Sequence, residues 1–389
     1  MKQINDSVSM RPVTSEPRHH FFGYYDKTPW SASGRYILGM ETDFMGRPPR
    51  PGEAATIGLI DTANGDAWRP LAGTTAWHWQ LGAMLQWMPG EAERRVIYNT
   101  RREGRFVAVV RDAFGETERI LPRPVYGVSP EGRWALSVNF ARLATMRPGY
   151  GYEGLEDPWA GHRHPAEDGV WRMDLRSGDC RLILSLEQAA GLRPRQGMAQ
   201  AAHWFNHVQI SPEGSRFAVL HRWRQAGNGG WETRMLASEP DGSDLSIVAD
   251  AGKVSHYDWR DEGSILAWCR QPDVGERYFL LDLAGGAGRI VGDGVLDRDG
   301  HCSWAPDRRR ILTDTYPDAD HMRTLILYDP AERRRVDVGR FYAPPELDGP
   351  VRCDLHPRWS RDGQRVCIDS AHEGTRQMYA LDVSAIVSG

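Results

Sequence analysis

GVSPEGRWALSV (Gly127–Val138) and RWSRDGQRVCID (Arg358–Asp369) are two copies of one pattern. Each has an apolar or aromatic residue, a turn rich in Ser, Pro, Asp and Gly, a basic residue, and then an apolar strand. Five more copies occur: PWSASGRYILGM from Pro29, QWMPGEAERRVIYN from Gln86, QISPEGSRFAVL from Gln209, DWRDEGSILAWC from Asp258 and SWAPDRRRILTD from Ser303. After each comes a short apolar strand ending near Asp and then a second turn, as in GVWRMDLRSGD and RYFLLDLAGGA. The turn glycines suit tight hairpins because Gly tolerates positive φ. A further apolar strand usually follows, so each unit predicts a four-stranded antiparallel meander. The starts are mostly 40–57 residues apart, the spacing of propeller blades. One meander cannot bury its faces alone. The expected fold is therefore all-β: a seven-bladed β-propeller formed by residues 1–389 as one domain. The chain ends just after a third-strand pattern, QMYALDV, which predicts that residues near Met10–Thr14 supply the missing outer strand of the last blade.

Composition narrows the function. Forty per cent of the 389 residues are apolar and 26% are charged, and the net charge is −4, so no global basic field recommends nucleic acid or an anionic membrane as partner. No apolar run approaches the ~18 residues of a membrane span, and MKQINDSVSMRPVTSEP lacks the apolar core of a secretory signal. Five cysteines without a C-x-x-C pair fit a reducing compartment. These readings predict a soluble, cytoplasmic protein.

The meander sorts residues by face. Connections between blades, and loops between second and third strands, emerge together on one face. All 13 histidines map to that face or to strand ends adjoining it. The same face collects Tyr25, Trp77, His78, Asn99 and Arg101. One interval between repeats is stretched to 82 residues by a long loop, 140–168, carrying Arg142, Arg147, Tyr150, Tyr152, Trp159 and His162. Long loops in compact folds are usually functional, and this one is expected to lean over the central funnel. A basic, aromatic pocket in an acidic protein suggests a small anionic ligand, with rings stacking on sugar and arginines pairing with carboxylate or phosphate.

His256, His301-Cys302, and Asp354 with His356 occupy equivalent positions before three successive first strands. Such positions converge near a propeller axis. The donor types predict a zinc shell of His256, Cys302, Asp354 and His356. Because adjacent strand residues point opposite ways, only one of His301 and Cys302 should face the ion, and thiolate chemistry favours Cys302. A metal-free polar network is the alternative.

HHFFGYYDK, WHWQLGAMLQW, IYNTR, RPGYGY, GHCSWAPD and RCDLHPRWSRDG together resemble segments of the seven-bladed β-propeller polysaccharide lyases, the ulvan lyases and rhamnose–glucuronate lyases. HVQISPEG is similar to a segment of the oligogalacturonate lyases. The resemblance implies cleavage of a uronate-containing oligo- or polysaccharide by β-elimination, and a structural zinc. It implies that His78 is the base or neutralises the carboxylate, and that Tyr150 or Tyr152 is the acid/base tyrosine, Tyr150 being preferred. Asn99 stands where some relatives have His. Arg172, an unusual charge within a strand, is expected to hold the carboxylate beside His207 and Arg222. Tyr25, Trp77, Arg101 and Arg147 complete the expected substrate contacts. A glycoside hydrolase on the same scaffold, or a non-catalytic propeller that binds sugar or protein, are the other readings.

Overall fold

The computed structural model describes residues 1–225, 227, 229–286 and 288–388. It is a seven-bladed β-propeller of antiparallel sheets, and within each blade the strands pair in chain order except where N-terminal strands join blades six and seven. Blade one is His19–Phe21, Tyr36–Thr42, Ala55–Asp61 and Ala67–Thr74; blade two is Gln86–Trp87, Arg95–Arg102, Arg105–Asp112 and Glu118–Leu121. Blade three is Gly127–Val128, Trp134–Ser137, Gly169–Asp174 and Cys180–Ser185; blade four is Ala202–Ile210, Phe217–Arg224, Glu232–Ser238 and Ser246–Ala249. Blade five is Val254–Asp261, Ser264–Gln271, Gly275–Asp282 and Arg289–Ile290. Blade six is Ser303–Trp304, Ile311–Asp314, Met322–Asp329 and Arg334–Tyr342. Blade seven has Arg358–Trp359, Arg365–Ser370 and Gln377–Asp382 from the C-terminal end.

The fourth strand of blade seven is Ser9–Pro12, antiparallel to Gln377–Asp382 with Ser9 opposite Asp382 and Pro12 opposite Tyr379. The ring thus closes as the sequence predicts, one or two residues earlier than expected. Pro12 sits in this outermost strand, where a missing N–H is tolerated. Lys2–Ile4 adds a fifth strand to blade six, a feature without a sequence signal.

Second strands carry continuous apolar runs where each blade is covered on both faces. Phe217–Leu220 and Ile265–Cys269 are continuous buried runs. Ala218, Leu220 and Met235 of blade four pack with Tyr257, Trp259, Ile265 and Phe279 of blade five. The repeated turn needs its glycine: Gly132 has φ 70°, and a Cβ there would lie 2.9 Å from the Pro89 carbonyl oxygen.

Near the axis, a buried ion pair joins the ends of the ring. Arg358 donates to Asp369 at 2.8 and 3.0 Å and to the Gly23 carbonyl at 2.8 Å, while Asp369 accepts from the Phe22 N–H. This fixes the Phe22–Tyr25 segment against blade seven. Asp369→Ala is expected to cost about 3–5 kcal/mol by leaving Arg358 buried and unpaired, measured as a lower midpoint in urea unfolding.

Candidate functional site

The long loop begins with a helix, Phe140–Met146, whose N-cap is Asn139. Arg142, buried, organises the remainder of the loop: it donates to the His203, Trp159, His162 and Arg163 carbonyls and pairs with Asp157 at 3.0 Å. Its guanidinium is therefore the loop's internal anchor and not a ligand contact. The anchor ties the loop to blade four, and the residues after the helix carry Arg147 and Tyr150 to the funnel.

There they line a cavity of about 440 Å³ with His207, Arg222, Trp231, Lys253, His256, Asp299 and Tyr316. Tyr150 is buried; Arg352 donates to its hydroxyl at 2.6 Å, and the Arg147 guanidinium lies 4.7 Å from its ring centroid. Burial alone would raise the phenol pKa, but Arg352 and Arg147 outweigh it and lower it. His256 bonds through Nδ1 to Asp299 at 2.8 Å. If that nitrogen carries the proton, Nε2 keeps its lone pair. His207 sits at a bulge with φ 49°, stacked on Tyr24 at 4.7 Å. Both of its ring nitrogens contact phenols, Tyr24 and Tyr126, at 3.3 Å.

Arg222 is buried, and among the described residues its Nε and one terminal nitrogen have no hydrogen-bond partner. Among the described residues no carboxylate pairs with Arg222 or Arg147. Burial first, then Arg147, brings the Arg222 pKa down to about 10. An arginine held in this state is set for an incoming anion.

Below this cavity, donor atoms of His301, Asp354 and His356 lie within 4.8 Å of one another. His301 Nδ1 is bonded to Asp314 at 2.8 Å, an arrangement that orients Nε2 as a ligand. The Nε2 atoms of both His301 and His356 are buried and have no hydrogen-bond partner among the described residues. Two bare imidazole nitrogens converging on a carboxylate fit a divalent metal ion. Asp354 is also held by Arg352 at 2.6 Å and Arg323 at 2.8 Å. This corrects the expected ligand set. Cys302 points the other way, buried among Leu266, Trp304 and Ile326, so His301 takes the inward position. His256 is engaged by Asp299 and is not one of the three converging residues. A set of nitrogen and oxygen donors without thiolate loses the particular preference for zinc. Adding a divalent metal is expected to raise the thermal midpoint, and His301→Ala to remove that rise, by differential scanning fluorimetry.

Other expected site residues fall elsewhere. His78 is buried beside Gly149, outside the cavity lining, and burial together with Arg376 and Arg352 brings its pKa down to about 3. Trp77 packs on Phe21 and Trp79 and donates to the Glu53 carbonyl. Asn99 bonds the Val125 backbone and the Tyr152 hydroxyl. Tyr152 stacks on Phe140 at 4.4 Å, and burial raises its pKa, so of the two tyrosines only Tyr150 reaches the cavity. Arg101 donates to the Gly154 carbonyl. Arg172 lies 5.1 Å over the Trp134 ring and is not among the cavity's lining residues, which corrects its expected hold on a carboxylate. Tyr25 is under the funnel, 5.4 Å from the His301 ring, its hydroxyl bonded to the Tyr257 carbonyl. Asp299, Tyr316, Trp231, Arg323 and Arg352 had no individual sequence signal.

Several buried histidines give a pH prediction. Burial lowers His203 to about 4 and His78 to about 3. Below about 6.5 the unfolded chain binds these protons and the folded chain does not, so stability falls as pH drops from 6.5 toward 4. Each such histidine contributes a slope of about 1.4 kcal/mol per pH unit in that window. Urea unfolding between pH 7 and 4.5 should show the loss, and His203→Gln should flatten it.

The fold and site together define a β-propeller with a cationic cavity adjoining a histidine–aspartate cluster. No protein-family model and no curated protein sequence matches the chain. Among solved structures, it is similar to the oligogalacturonate lyase of Vibrio parahaemolyticus, with a TM-score of 0.68, 13% identity, and coverage of 98% of this chain and 96% of that one. It is also similar to an oligogalacturonate lyase in complex with manganese, with a TM-score of 0.71, 14% identity, and coverage of 100% and 97%. The β-propeller domain of the Trilobed protease from Pyrococcus furiosus matches at a TM-score of 0.53 with 12% identity, covering 92% of this chain and 94% of that domain. At these identities the likeness concerns the fold. The finer resemblance to ulvan lyases gains no support from these structures. Among the described residues no helix is long and apolar enough to cross a membrane.

Proposed function

We propose that this chain is a lyase that cleaves a uronate-containing oligosaccharide by β-elimination. The observation that carries the reading is Arg222: a buried guanidinium without a carboxylate partner among the described residues, beside Arg147, in a cavity that also holds Tyr150 and the His256–Asp299 pair. The uronate carboxylate would pair with Arg222 and Arg147, whose positive charge stabilises the enolate character that develops as C5 loses its proton. His256 Nε2, oriented by Asp299, takes that proton. The C4–O4 bond then breaks, a double bond forms between C4 and C5, and Tyr150 protonates the departing oxygen. Base duty thus moves from His78 to His256, because His256 lines the cavity and His78 does not. His301, Asp354 and His356 would hold a divalent metal, which would supply Lewis-acid polarisation near the carboxylate.

A hydrolase needs two carboxylates flanking the scissile bond. Asp299 is the one carboxylate among the described lining residues, and it is engaged by His256. Mass spectrometry of the products tests the choice. Elimination gives fragments whose masses sum to that of the substrate. Hydrolysis adds one water, and finding that extra water would overturn the proposal.

A further inference from the structure

Three guanidiniums share one neighbour. Arg147, Arg222 and Arg224 lie 4.5, 5.7 and 5.5 Å from the centroid of Trp231. Arg147 is also 4.7 Å from the Tyr150 ring, which places it against two aromatic rings. Among the described residues, the buried Nε atom of each of the three arginines has no hydrogen-bond partner and none of the three pairs with a carboxylate. The nearby acids are committed elsewhere. Glu232 pairs with Arg195 at 2.9 Å, Asp250 approaches Arg195 at 3.6 Å, and Glu276 pairs with Lys253 at 2.9 Å. Three like charges gathered in a partly buried site repel one another, and proteins ordinarily relieve this with an acid. Here the relief comes from the negative face of an indole, which attracts cations while occupying none of their N–H donors.

We propose that Trp231 is a specificity-determining positioning residue: its ring holds Arg147 and Arg222 in place of a counter-carboxylate, so that their N–H groups stay open for the anionic group of the substrate. The inference rests on the reading that this cavity takes a uronate. A carboxylate at position 231 would hold the same arginines but consume their donors. An aliphatic residue would leave them mutually repelled and splayed.

The test is calorimetric titration of galacturonate, glucuronate and inorganic sulfate into the full chain and into Trp231→Phe, Trp231→Leu and Trp231→Glu, with thermal midpoints recorded for all four proteins. Trp231→Phe, which keeps a ring face, should bind anions within about threefold of the native protein, and Trp231→Leu about tenfold or more weakly. Trp231→Glu should lose anion binding while its thermal midpoint stays at or above the native value. A purely packing role predicts the reverse order for stability, because a charged residue would harm an apolar contact most. Native-like anion affinity in Trp231→Leu, or in Trp231→Glu, would overturn the inference. If the native chain binds sulfate but neither uronate, the uronate reading fails, and the sulfate series still decides the role of Trp231. If it binds none of the three, both fail.

Discussion

Tyr150→Phe should lower turnover by about 10²–10⁴-fold, the usual contribution of a positioned acid or base, while leaving uronate affinity within a few-fold of native. The substitution removes one oxygen from a buried ring that keeps its neighbours Tyr24 and His207. Arg352 loses one acceptor but retains Asp354 at 2.6 Å, so the metal-ligand cluster beneath should persist. The loss would then report chemistry and not folding. Arg352 and Arg147 hold the phenol pKa below its ordinary value against the opposing effect of burial. A phenol so placed surrenders its proton to a leaving oxygen more readily than a free one. Steady-state kinetics beside calorimetric binding separates the two parameters. An equal loss of both affinity and turnover would assign Tyr150 to substrate binding instead.

Arg222→Met should have opposite effects on function and stability. Activity should fall by on the order of 10²–10³ in kcat/KM, because truncating one partner of a buried charged hydrogen-bonded pair costs 2–5 kcal/mol. Stability should rise or hold. In the free protein the guanidinium is buried beside Arg147 with two nitrogens unsatisfied among the described residues, and an apolar side chain of similar length removes that burden. Functional sites commonly trade stability in this way. Urea unfolding of the two proteins in the same buffer, set beside kinetics on one substrate, checks both halves. A destabilised Arg222→Met would mean that the arginine supports the fold and is not held ready for an anion.

The fold was legible because seven Ser/Pro/Asp/Gly turns repeat at blade spacing, and each turn is a local chemical necessity, as at Gly132. The strand exchange at Ser9–Pro12 was legible because the last blade lacks a fourth strand in its own sequence. The cationic face was legible as well, since the meander itself sorts residues to one side. What local reasoning missed depends on which way a side chain turns. Cys302 and His301 are adjacent, and a preference for thiolate chose Cys302; its sulfur packs with Leu266, Trp304 and Ile326, while His301 converges with Asp354 and His356. Tyr150 and Tyr152 lie two residues apart in a loop, and tertiary contacts separate them: Tyr152 stacks on Phe140 and bonds Asn99, while Tyr150 meets Arg352. His256 and Asp299 are 43 residues apart, so their pairing exists only once blades five and six pack together. Arg172 looked anomalous within a strand, yet Trp134 on the neighbouring strand supplies a surface for it.

The most direct test of the central claim is the ultraviolet absorbance of the native chain and Tyr150→Phe, incubated with oligogalacturonate, glucuronan and ulvan fragments in the presence of a divalent metal. Elimination creates a double bond conjugated to the uronate carboxyl, which absorbs where the substrate does not. The account predicts a steady rise with at least one of these substrates for the native chain, and a rise at least a hundredfold slower for Tyr150→Phe. New reducing ends without any rise in absorbance, or equal rates for the two proteins, would contradict it.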